Sequence, residues 1–395
     1  MRSRSRIPAP SPVFGVRRGT GAPASCRNRR LLVEPLEDRR LLSVGPELVR
    51  DINLLPSAES SSPAKMIEMN GAAYFIASSP TTGDGIWKSD GTVAGTTFLT
   101  GGAQRGGYYS SDASQLANVS GTLFFTAYRG DKGIELCRSN GTPAGTALVK
   151  DIFSGYSSSW PSNLTNVNGT LFFTANDGTS GVELWKSDGT AAGTVMVKDI
   201  FPGASSGYYG GSHPHSSNPR NLTNVNGTLF FTADDGANGV ELWKSDGTAA
   251  GTVLVKDIVA DGDSSSPAGL TNVNGTLFFA ADDGTYGREL WKSNGTEAGT
   301  VLVKDIFSGN ESGSYGYSGP PNNSDPQNLT SVKGTLFFTA NDGTSGVELW
   351  KSDGTGSGTV LVKDIFPGTS EPSYGSPYPN SSSPQGLTNV NGTLF

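Results

Sequence analysis

The stretch "ELWKSDGTAAGTVMVKDI", residues 183–200, is one copy of the unit from which most of this chain is built. It carries a Glu, two Lys and two Asp among apolar residues and Gly-containing turns. The motif "ELWKSDGT" or a close variant recurs along the chain, and its Trp position falls at Trp87, Cys137, Trp185, Trp243, Trp291 and Trp350. The steps between these positions are 50, 48, 58, 48 and 59 residues, and a period of this length indicates a repeat architecture.

Each unit reads as four short strands separated by turn dipeptides. Around Trp185 we predict strands at 164–167, 170–175, 182–186 and 195–200. Asn168-Gly169 is a hairpin turn signal between the first two strands. These strands are apolar on both faces, so each sheet must be covered on both sides by neighbouring sheets. The pattern predicts an all-β repeat protein, a β-propeller of about seven four-stranded blades, with an open β-repeat array or solenoid as the alternative.

The two ends of the repeat region carry partial units. Residues 47–54, "ELVRDINL", read as a fourth strand, and residues 387–395, "LTNVNGTLF", read as a first strand and part of a second. We therefore predict a repeat domain over residues 44–395, with six full units and a seventh that is either shared between the ends or truncated.

Residues 1–43 differ in composition from the rest of the chain. They hold ten Arg and three acidic residues, which leaves the remaining chain with a net charge of −14. We predict that this segment is a basic, disordered leader. An acidic body disfavours binding of nucleic acid, and the absence of a run of eighteen apolar residues predicts no membrane-spanning helix. Cys26 and Cys137 are the only cysteines, too few for a disulfide framework or a zinc cluster.

Two segments resemble known sequence families. "LLVEPLEDRRLLS", residues 31–43, resembles the LEPR-XLL segment that opens many surface proteins of planctomycete-type bacteria. The repeat resembles the ELWxxDGT repeat of bacterial surface proteins over nearly all of residues 47–395. Three units match in full, whereas Asn294, Cys137 and the opening Gly85-Ile86 depart from the motif. The resemblance implies a secreted or cell-surface protein and brings no established activity with it.

The charged residues of the unit recur at equivalent places, at Glu183, Glu241, Glu289 and Glu348 and at Asp199, Asp257, Asp305 and Asp364. A catalytic pair normally occurs once, in one asymmetric pocket. We therefore predict a structural role for these carboxylates, such as pairing with the lysines of neighbouring strands, and no catalytic residue. His213 and His215, the only two histidines, are expected in a solvated loop and cannot complete a Ser/His/Asp triad here.

Asx-Gly dipeptides follow the second strand of several units and could supply oxygen ligands to calcium. The residues concerned are Asp177, Asp235, Asp283 and Asp342. Such dipeptides are also the usual material of hairpin turns, which is the reading that the sequence favours. Calcium stays the alternative, and no other cofactor or metal is predicted.

The segments between a fourth strand and the next first strand differ most between units. They are rich in Tyr, Ser, Gly and Asn, a composition that suits adaptable binding surfaces. The ligand-binding candidates are Tyr108, Tyr109, Tyr156, Trp160, Tyr208, Tyr209, Tyr315, Tyr317, Tyr374 and Tyr378. The sequence thus predicts a non-catalytic extracellular or cell-surface module that binds a protein or a glycan. A purely structural surface array and a propeller enzyme acting on polysaccharides are the alternatives.

Overall fold

A computed structural model describes residues 48–52, 60–102, 115–206, 211–312, 318–370 and 377–395. Six four-stranded antiparallel sheets follow one another along the chain, which confirms the all-β, propeller-like repeat. We number these sheets as blades 1–6. In the described part of the chain, the only helical segment is the three-residue 3-10 turn Gly130–Lys132. No helix among these residues is long and apolar enough to cross a membrane.

The strands of the first three blades are short and evenly spaced. Blade 1 consists of β1 (Ala64–Met69), β2 (Ala72–Ser79), β3 (Gly83–Ser89) and β4 (Thr97–Gly101). Blade 2 consists of β5 (Leu116–Val119), β6 (Thr122–Tyr128), β7 (Ile134–Ser139) and β8 (Ala147–Lys150). Blade 3 consists of β9 (Ser162–Val167), β10 (Thr170–Asn176), β11 (Val182–Ser187) and β12 (Val195–Lys198), and the hairpin β13 (Ala204–Ser206) and β14 (Ser212–Pro214) follows it.

The remaining blades repeat this plan. Blade 4 consists of β15 (Arg220–Val225), β16 (Thr228–Asp234), β17 (Val240–Ser245) and β18 (Val253–Lys256). Blade 5 consists of β19 (Ala268–Val273), β20 (Thr276–Asp282), β21 (Arg288–Ser293) and β22 (Val301–Lys304), and the hairpin β23 (Asn310–Ser312) and β24 (Ser318–Pro321) follows it. Blade 6 consists of β25 (Gln327–Val332), β26 (Thr335–Asn341), β27 (Val347–Ser352) and β28 (Val360–Lys363). Two short hairpins end the chain, β29 (Thr369–Ser370) with β30 (Tyr378–Pro379) and β31 (Asn389–Val390) with β32 (Thr393–Leu394).

Strand boundaries in blade 3 agree closely with the sequence prediction. The first hairpin turns at Asn168, whose φ of 50° lies in the left-handed region that Asn tolerates better than most residues. The fourth strand ends at Lys198, two residues before the predicted end. It ends there because the N–H group of Ile200 turns away from the sheet and donates to the carboxylate of Glu183.

The apolar core lies between adjacent blades, which explains why the strands are apolar on both faces. Phe172 and Leu184 of blade 3 pack with Leu229, Phe231 and Trp243 of blade 4. Equivalent clusters fill the other blade interfaces. Each such side chain contributes roughly 1.5–3 kcal/mol when it is fully buried.

The lysines of the repeat join one blade to the next. Lys198 Nζ donates to the carbonyl oxygen of Thr252 at 2.9 Å and lies 5.6 Å from the ring centroid of Trp243, both in blade 4. Lys186 Nζ donates to the carbonyl oxygen of Gly247 at 2.8 Å. The predicted pairing of these lysines with the repeated carboxylates is therefore wrong, because their long side chains reach past their own sheet to the backbone of the following blade.

A ladder of asparagine side chains connects the first strands of successive blades. The Nδ2 of Asn166 donates to the carbonyl oxygen of Asn118 at 3.1 Å, and the Nδ2 of Asn224 donates to that of Asn166 at 3.3 Å. Each Oδ1 also accepts the N–H of the Gly in its own hairpin turn, as between Asn166 and Gly169 at 2.9 Å. Blade 6 has Ser331 at this position. The ladder is thus interrupted between blades 5 and 6.

The two partial units do not form a seventh four-stranded sheet in the described residues. At one end, Ile52 is 7% exposed and packs against Phe75 and Trp87 of blade 1, while the guanidinium of Arg50 donates to the carbonyl oxygen of Thr96. This segment lies where the preceding blade would place its Lys-Asp-Ile word. At the other end, the described residues after blade 6 form only two-stranded hairpins, and the last of them, β31 with β32, corresponds to the start of a seventh unit.

Candidate functional site on the connection face

Strands 2 and 4 of every blade end on the same side of the molecule, because alternate strands of an antiparallel sheet run in the same direction. This side carries the loops between strands 2 and 3 and the connections from each fourth strand to the next blade. We call it the connection face. The opposite side carries the turns between strands 1 and 2 and between strands 3 and 4, and we call it the turn face.

A buried glutamate anchors the connection that follows each of blades 2–6 to its own blade. Glu183 is 0% exposed and accepts the N–H of Ile200 at 3.0 Å, the N–H of Ser217 at 2.8 Å and the hydroxyl of Ser217 at 2.5 Å. Burial raises the pKa of Glu183 to about 7, against the lowering effect of these hydrogen bonds. The same contacts recur at Glu135, Glu241, Glu289 and Glu348. These glutamates hold the connections in place, and their oxygens face protein donors.

The Asx-Gly segments fold as turns on the connection face. The Oδ1 of Asp177 accepts the N–H groups of Thr179 at 2.8 Å and of Ser180 at 2.7 Å. Asp235, Asp283 and Asp342 accept the equivalent pair of N–H groups. Across the described residues, no three His, Cys, Asp or Glu side chains are grouped so as to hold a metal ion. Calcium binding by these aspartates stays a prediction.

Blade 3 brings an imidazole to a pair of aspartates. Desolvation and then the nearby Asp177 raise the pKa of Asp199, while His215 opposes the rise. The Oδ1 of Asp199 is buried and accepts no hydrogen bond from the described residues. In blade 2 the equivalent aspartate, Asp151, instead pairs with Lys132, with 3.0 Å between Nζ and Oδ2.

His215 is held by the protein rather than free in a solvated loop, which corrects the sequence-based expectation. Its ring centroid lies 4.4 Å from that of Phe201, and its backbone N–H donates to the carbonyl oxygen of Gly203 at 3.0 Å. Its Nδ1 is buried and has no hydrogen-bond partner among the described residues. The other histidine, His213, lies in β14 and is exposed. His215 therefore gives blade 3 a titratable group that the other blades lack, since the sequence has no third histidine.

Trp160 occupies a strained backbone position beside this cluster. Its φ is 49°, in the left-handed region, and its side chain is 45% exposed. This position comes one residue after the serine that binds the buried glutamate. It is also left-handed in the other units, where the residues are small or polar: Ser62, Asn218, Ser266, Asp325 and Ser383. A bulky residue in this region costs of order 1–3 kcal/mol, and such outliers concentrate at functional sites.

Two further exposed aromatic residues lie on the connection face of blade 2. Tyr156, on the same connection, is 86% exposed. Tyr128, at the end of the second strand of blade 2, is 50% exposed. Amphipathic rings of this kind offer a flat apolar face together with a polar edge. They give blade 2 an aromatic surface on the connection face.

The aromatic surface and the His215 cluster flank one loop of blade 3. On one side, the carbonyl oxygen of Ser159 accepts the N–H of Asn176 at 2.9 Å, which places Trp160 next to the loop. On the other side, a Cβ on Gly181 would lie 1.9 Å from the carbonyl oxygen of His215. The loop 176–181, which contains Asp177, therefore separates Trp160 from His215. We take these two groups and the loop as the candidate site.

The predicted ligand-binding residues are only partly within the described chain. Tyr156, Trp160 and Tyr378 are exposed, and Tyr378 lies in the hairpin after blade 6. The candidates outside the described residues are Tyr108, Tyr109, Tyr208, Tyr209, Tyr315, Tyr317 and Tyr374. Sequence reasoning missed Tyr128 and Tyr286, which is 47% exposed. Alignment of the units would have found them, because Tyr128 replaces the Asn or Asp of blades 3–6 and Tyr286 replaces the Ser or Asn of blades 3, 4 and 6.

No protein-family model and no curated protein matches the chain. Among solved structures, prolyl oligopeptidase B from Galerina marginata matches at 10% identity and a TM-score of 0.46, over 80% of this chain and 44% of that chain. A puromycin-hydrolyzing peptidase of Mycobacterium tuberculosis matches at 12% identity and a TM-score of 0.41, over 75% of this chain and 47% of that chain. The chain thus spans about half the length of these peptidases.

The polysaccharide lyase Uly1 matches at 12% identity and a TM-score of 0.41, over 81% of this chain and 85% of that chain. The similar structures named here are all enzymes, so the comparisons contradict the prediction of a non-catalytic module for binding, adhesion or surface architecture. Likeness at this level assigns none of their activities to this chain. The function has to be argued from the site itself.

Proposed function

We propose that the chain is an enzyme acting on polysaccharides, with its substrate lying across the connection face of blades 2 and 3. The observation that carries the proposal is Trp160. Five other units place a small or polar residue at its left-handed position, whereas this unit holds an exposed indole there at a cost in backbone strain. A strained, bulky and exposed residue of this kind points to a function at the surface.

The aromatic surface fits a sugar polymer. A pyranose ring presents C–H groups on its faces and hydroxyls at its edge, which matches the apolar face and polar edge of Trp and Tyr side chains. Tyr156, on the same connection as Trp160, and Tyr128, at the end of the second strand of blade 2, add two exposed rings on this face, which suits a substrate of more than one sugar unit. We assign these three residues to substrate binding.

The His215 cluster supplies groups for proton transfer. Cleavage of a glycosidic linkage needs a residue that gives or takes a proton beside the scissile bond. His215 is the side chain that we assign to this role, and Asp199 is the carboxylate that lies near it. Asp177 lies on the loop between this cluster and the aromatic surface and adds a second acidic group.

We further propose that the protein acts outside the cell and belongs with the ELWxxDGT-repeat surface proteins. The support is the repeated word itself and the LEPR-XLL-like segment at residues 31–43, which lies outside the described residues. The small number of cysteines fits a bacterial exported protein whose fold depends on packing between blades.

The experiment incubates the full chain with a panel of neutral and acidic polysaccharides. New reducing ends and the ultraviolet absorbance of unsaturated sugars are followed, since the second signal distinguishes elimination from hydrolysis. We expect His215→Asn to lower the rate on the cleaved polymer by roughly 100-fold or more. Trp160→Ser should raise the KM on the same polymer and increase the melting temperature, because Ser266 shows that Ser is accommodated at this position.

The control is Tyr378→Ser, which removes an exposed tyrosine from the hairpin after blade 6 and should leave the rate unchanged. Absence of cleavage across the panel would contradict the proposal. An unchanged rate in His215→Asn would remove His215 from the reaction.

A further inference from the structure

Two equivalent cavities open on the turn face, opposite the candidate site. One lies between blades 3 and 4, has a volume of about 170 Å³ and is lined by Asn168, Thr170, Phe172, Lys186 and Asp246. The other lies between blades 5 and 6, has a volume of about 210 Å³ and is lined by the equivalent residues Asn274, Thr276, Phe278, Lys292 and Asp353. We call them the turn pockets.

Each turn pocket has unused hydrogen-bonding capacity. The Oδ1 of Asp246 accepts the N–H and the hydroxyl of Thr248, both at 2.8 Å, which leaves Oδ2 available. Lys186 Nζ gives one hydrogen bond to the carbonyl oxygen of Gly247, which leaves two of its three N–H groups. Asn168 adds a carboxamide at the mouth, where it is exposed.

The charges in the pocket select against ions. The two hydrogen bonds from Thr248 and the nearby ammonium of Lys186 lower the pKa of Asp246, so its carboxylate is ionised at neutral pH. One carboxylate and one ammonium give the pocket no net charge. An anion would be opposed by Asp246 and a cation by Lys186. A neutral ligand that both donates and accepts hydrogen bonds meets neither penalty.

The volume and the apolar lining of each turn pocket further restrict the kinds of ligand that fit it. The volumes are below the roughly 300–1,000 Å³ of pockets that enclose drug-sized molecules, so the ligand is about the size of a single small ring. Phe172 is 4% exposed and forms an apolar wall, and a Cβ on Gly247 would lie 3.1 Å from its Cζ. A neutral ring with hydroxyls on its rim and C–H groups on its faces satisfies all of these constraints.

We infer that each turn pocket binds one saccharide residue, through hydroxyl contacts with the Asp, Lys and Asn side chains. This is a second site, on the opposite face from the proposed reaction, and it does not depend on catalytic activity. Two copies on one chain would hold a sugar polymer or a glycosylated surface at two points, which increases the overall affinity.

The repeat provides its own matched control. Between blades 4 and 5, the equivalent position carries Asn294 together with Asn226 and Lys244. Asn294 forms the same turn, since its Oδ1 accepts the N–H of Thr296 at 3.0 Å and its hydroxyl at 2.7 Å. An Asp→Asn change in a turn pocket therefore keeps the fold and removes only the carboxylate, and Asn294→Asp completes a third pocket.

The experiment titrates the full chain with the methyl glycosides of glucose, galactose and mannose, using calorimetry and ligand-observed NMR. In the Trp160→Ser variant, which lacks the indole of the proposed substrate surface, we expect at least one of these glycosides to bind at two sites per chain with a Kd on the order of 1 mM. In the same background, Asp246→Asn combined with Asp353→Asn should weaken binding at least 10-fold, and Asn294→Asp should raise the stoichiometry to three. Adding His215→Asn to Trp160→Ser should leave the two sites unchanged.

Three outcomes would overturn the inference: no binding of any of the three glycosides, two sites retained in the double Asn variant, or two sites retained after Asn294→Asp. Loss of this binding in His215→Asn would likewise overturn it, since it would place the saccharide on the connection face. Failure of polysaccharide cleavage leaves this stoichiometry test unaffected, so the two proposals fail separately.

Discussion

The interrupted asparagine ladder predicts that one substitution at the gap will stabilise the protein. Ser331→Asn would restore the missing rung between blades 5 and 6, because an Asn there can donate from Nδ2 to the carbonyl oxygen of Asn272. Its Oδ1 can also accept the N–H of Gly334. Both bonds exist in the preceding blade, where Asn272 donates to Asn224 at 3.3 Å and accepts from Gly275 at 2.8 Å.

Two added hydrogen bonds of about 0.5–1 kcal/mol each raise the free energy of unfolding by about 1–2 kcal/mol. For a chain of this size, the melting temperature should rise by roughly 1–3 °C. Differential scanning calorimetry on the full chain measures this shift. The gain is confined to the interface between blades 5 and 6, so protection of its amides from hydrogen exchange should increase as well.

Two further variants separate the contributions. Ser331→Asp supplies the acceptor for Gly334 without the donor for Asn272, so about half of the gain should remain. Asn224→Ser creates the same gap between blades 3 and 4 and should lower the melting temperature by a similar amount. If Ser331→Asn leaves the melting temperature unchanged and Asn224→Ser does too, the ladder does not contribute to stability and the reasoning is refuted.

Three other changes test the blade contacts. Burial raises the pKa of Glu183 to about 7 from an ordinary 4.5, so the folded state holds this proton more tightly than the unfolded state does. The contribution of Glu183 to stability is therefore greatest at pH 4.5 and is lost as the pH rises through 7. A melting temperature that rises over this pH range would contradict the expected sign. Lys256→Met removes a hydrogen bond and a cation–π contact to blade 5, and we expect a loss of about 1–3 kcal/mol in urea unfolding. Gly247→Ala should lower the free energy of unfolding more than Gly91→Ala does in the same assay. Both glycines have a left-handed φ, but only Gly247 lies against Phe172. Equal losses of stability in the two variants would exclude a steric effect of Phe172.

The repeat made most of the fold predictable. A word such as "ELWKSDGT" fixes a strand, a turn and the residues that face each neighbour, and its recurrence shows that the faces are covered by copies of the same unit. The hydrogen-bond partners of the lysines could not be predicted, because Lys198 donates to a backbone carbonyl oxygen 54 residues further along the chain. A backbone acceptor leaves no mark in the sequence, so sequence reasoning assigned the lysines to the only visible partners, the carboxylates.

The candidate site was predicted only in part, for a related physical reason. Tyr156 and Trp160 stood out by composition, but the left-handed backbone at Trp160 is visible only when the units are aligned through their structure. His215 was assigned to solvent because no acid is close to it in sequence, whereas folding brings Asp199 and Phe201 beside it. Composition identifies exposed loops well, whereas a contact between two residues sixteen positions apart in a connection depends on the turn geometry.

The way in which lysines join the blades bears on how such a protein can change over generations. Lys150, Lys198 and Lys304 each donate to the main-chain oxygen of a threonine in the following blade, an atom that every residue type possesses. A unit that is duplicated, deleted or exchanged by recombination therefore arrives with its docking atoms intact, whatever its connecting segment has become. The framework can stay constant while the segments that carry Trp160 and His215 diversify independently, one blade at a time.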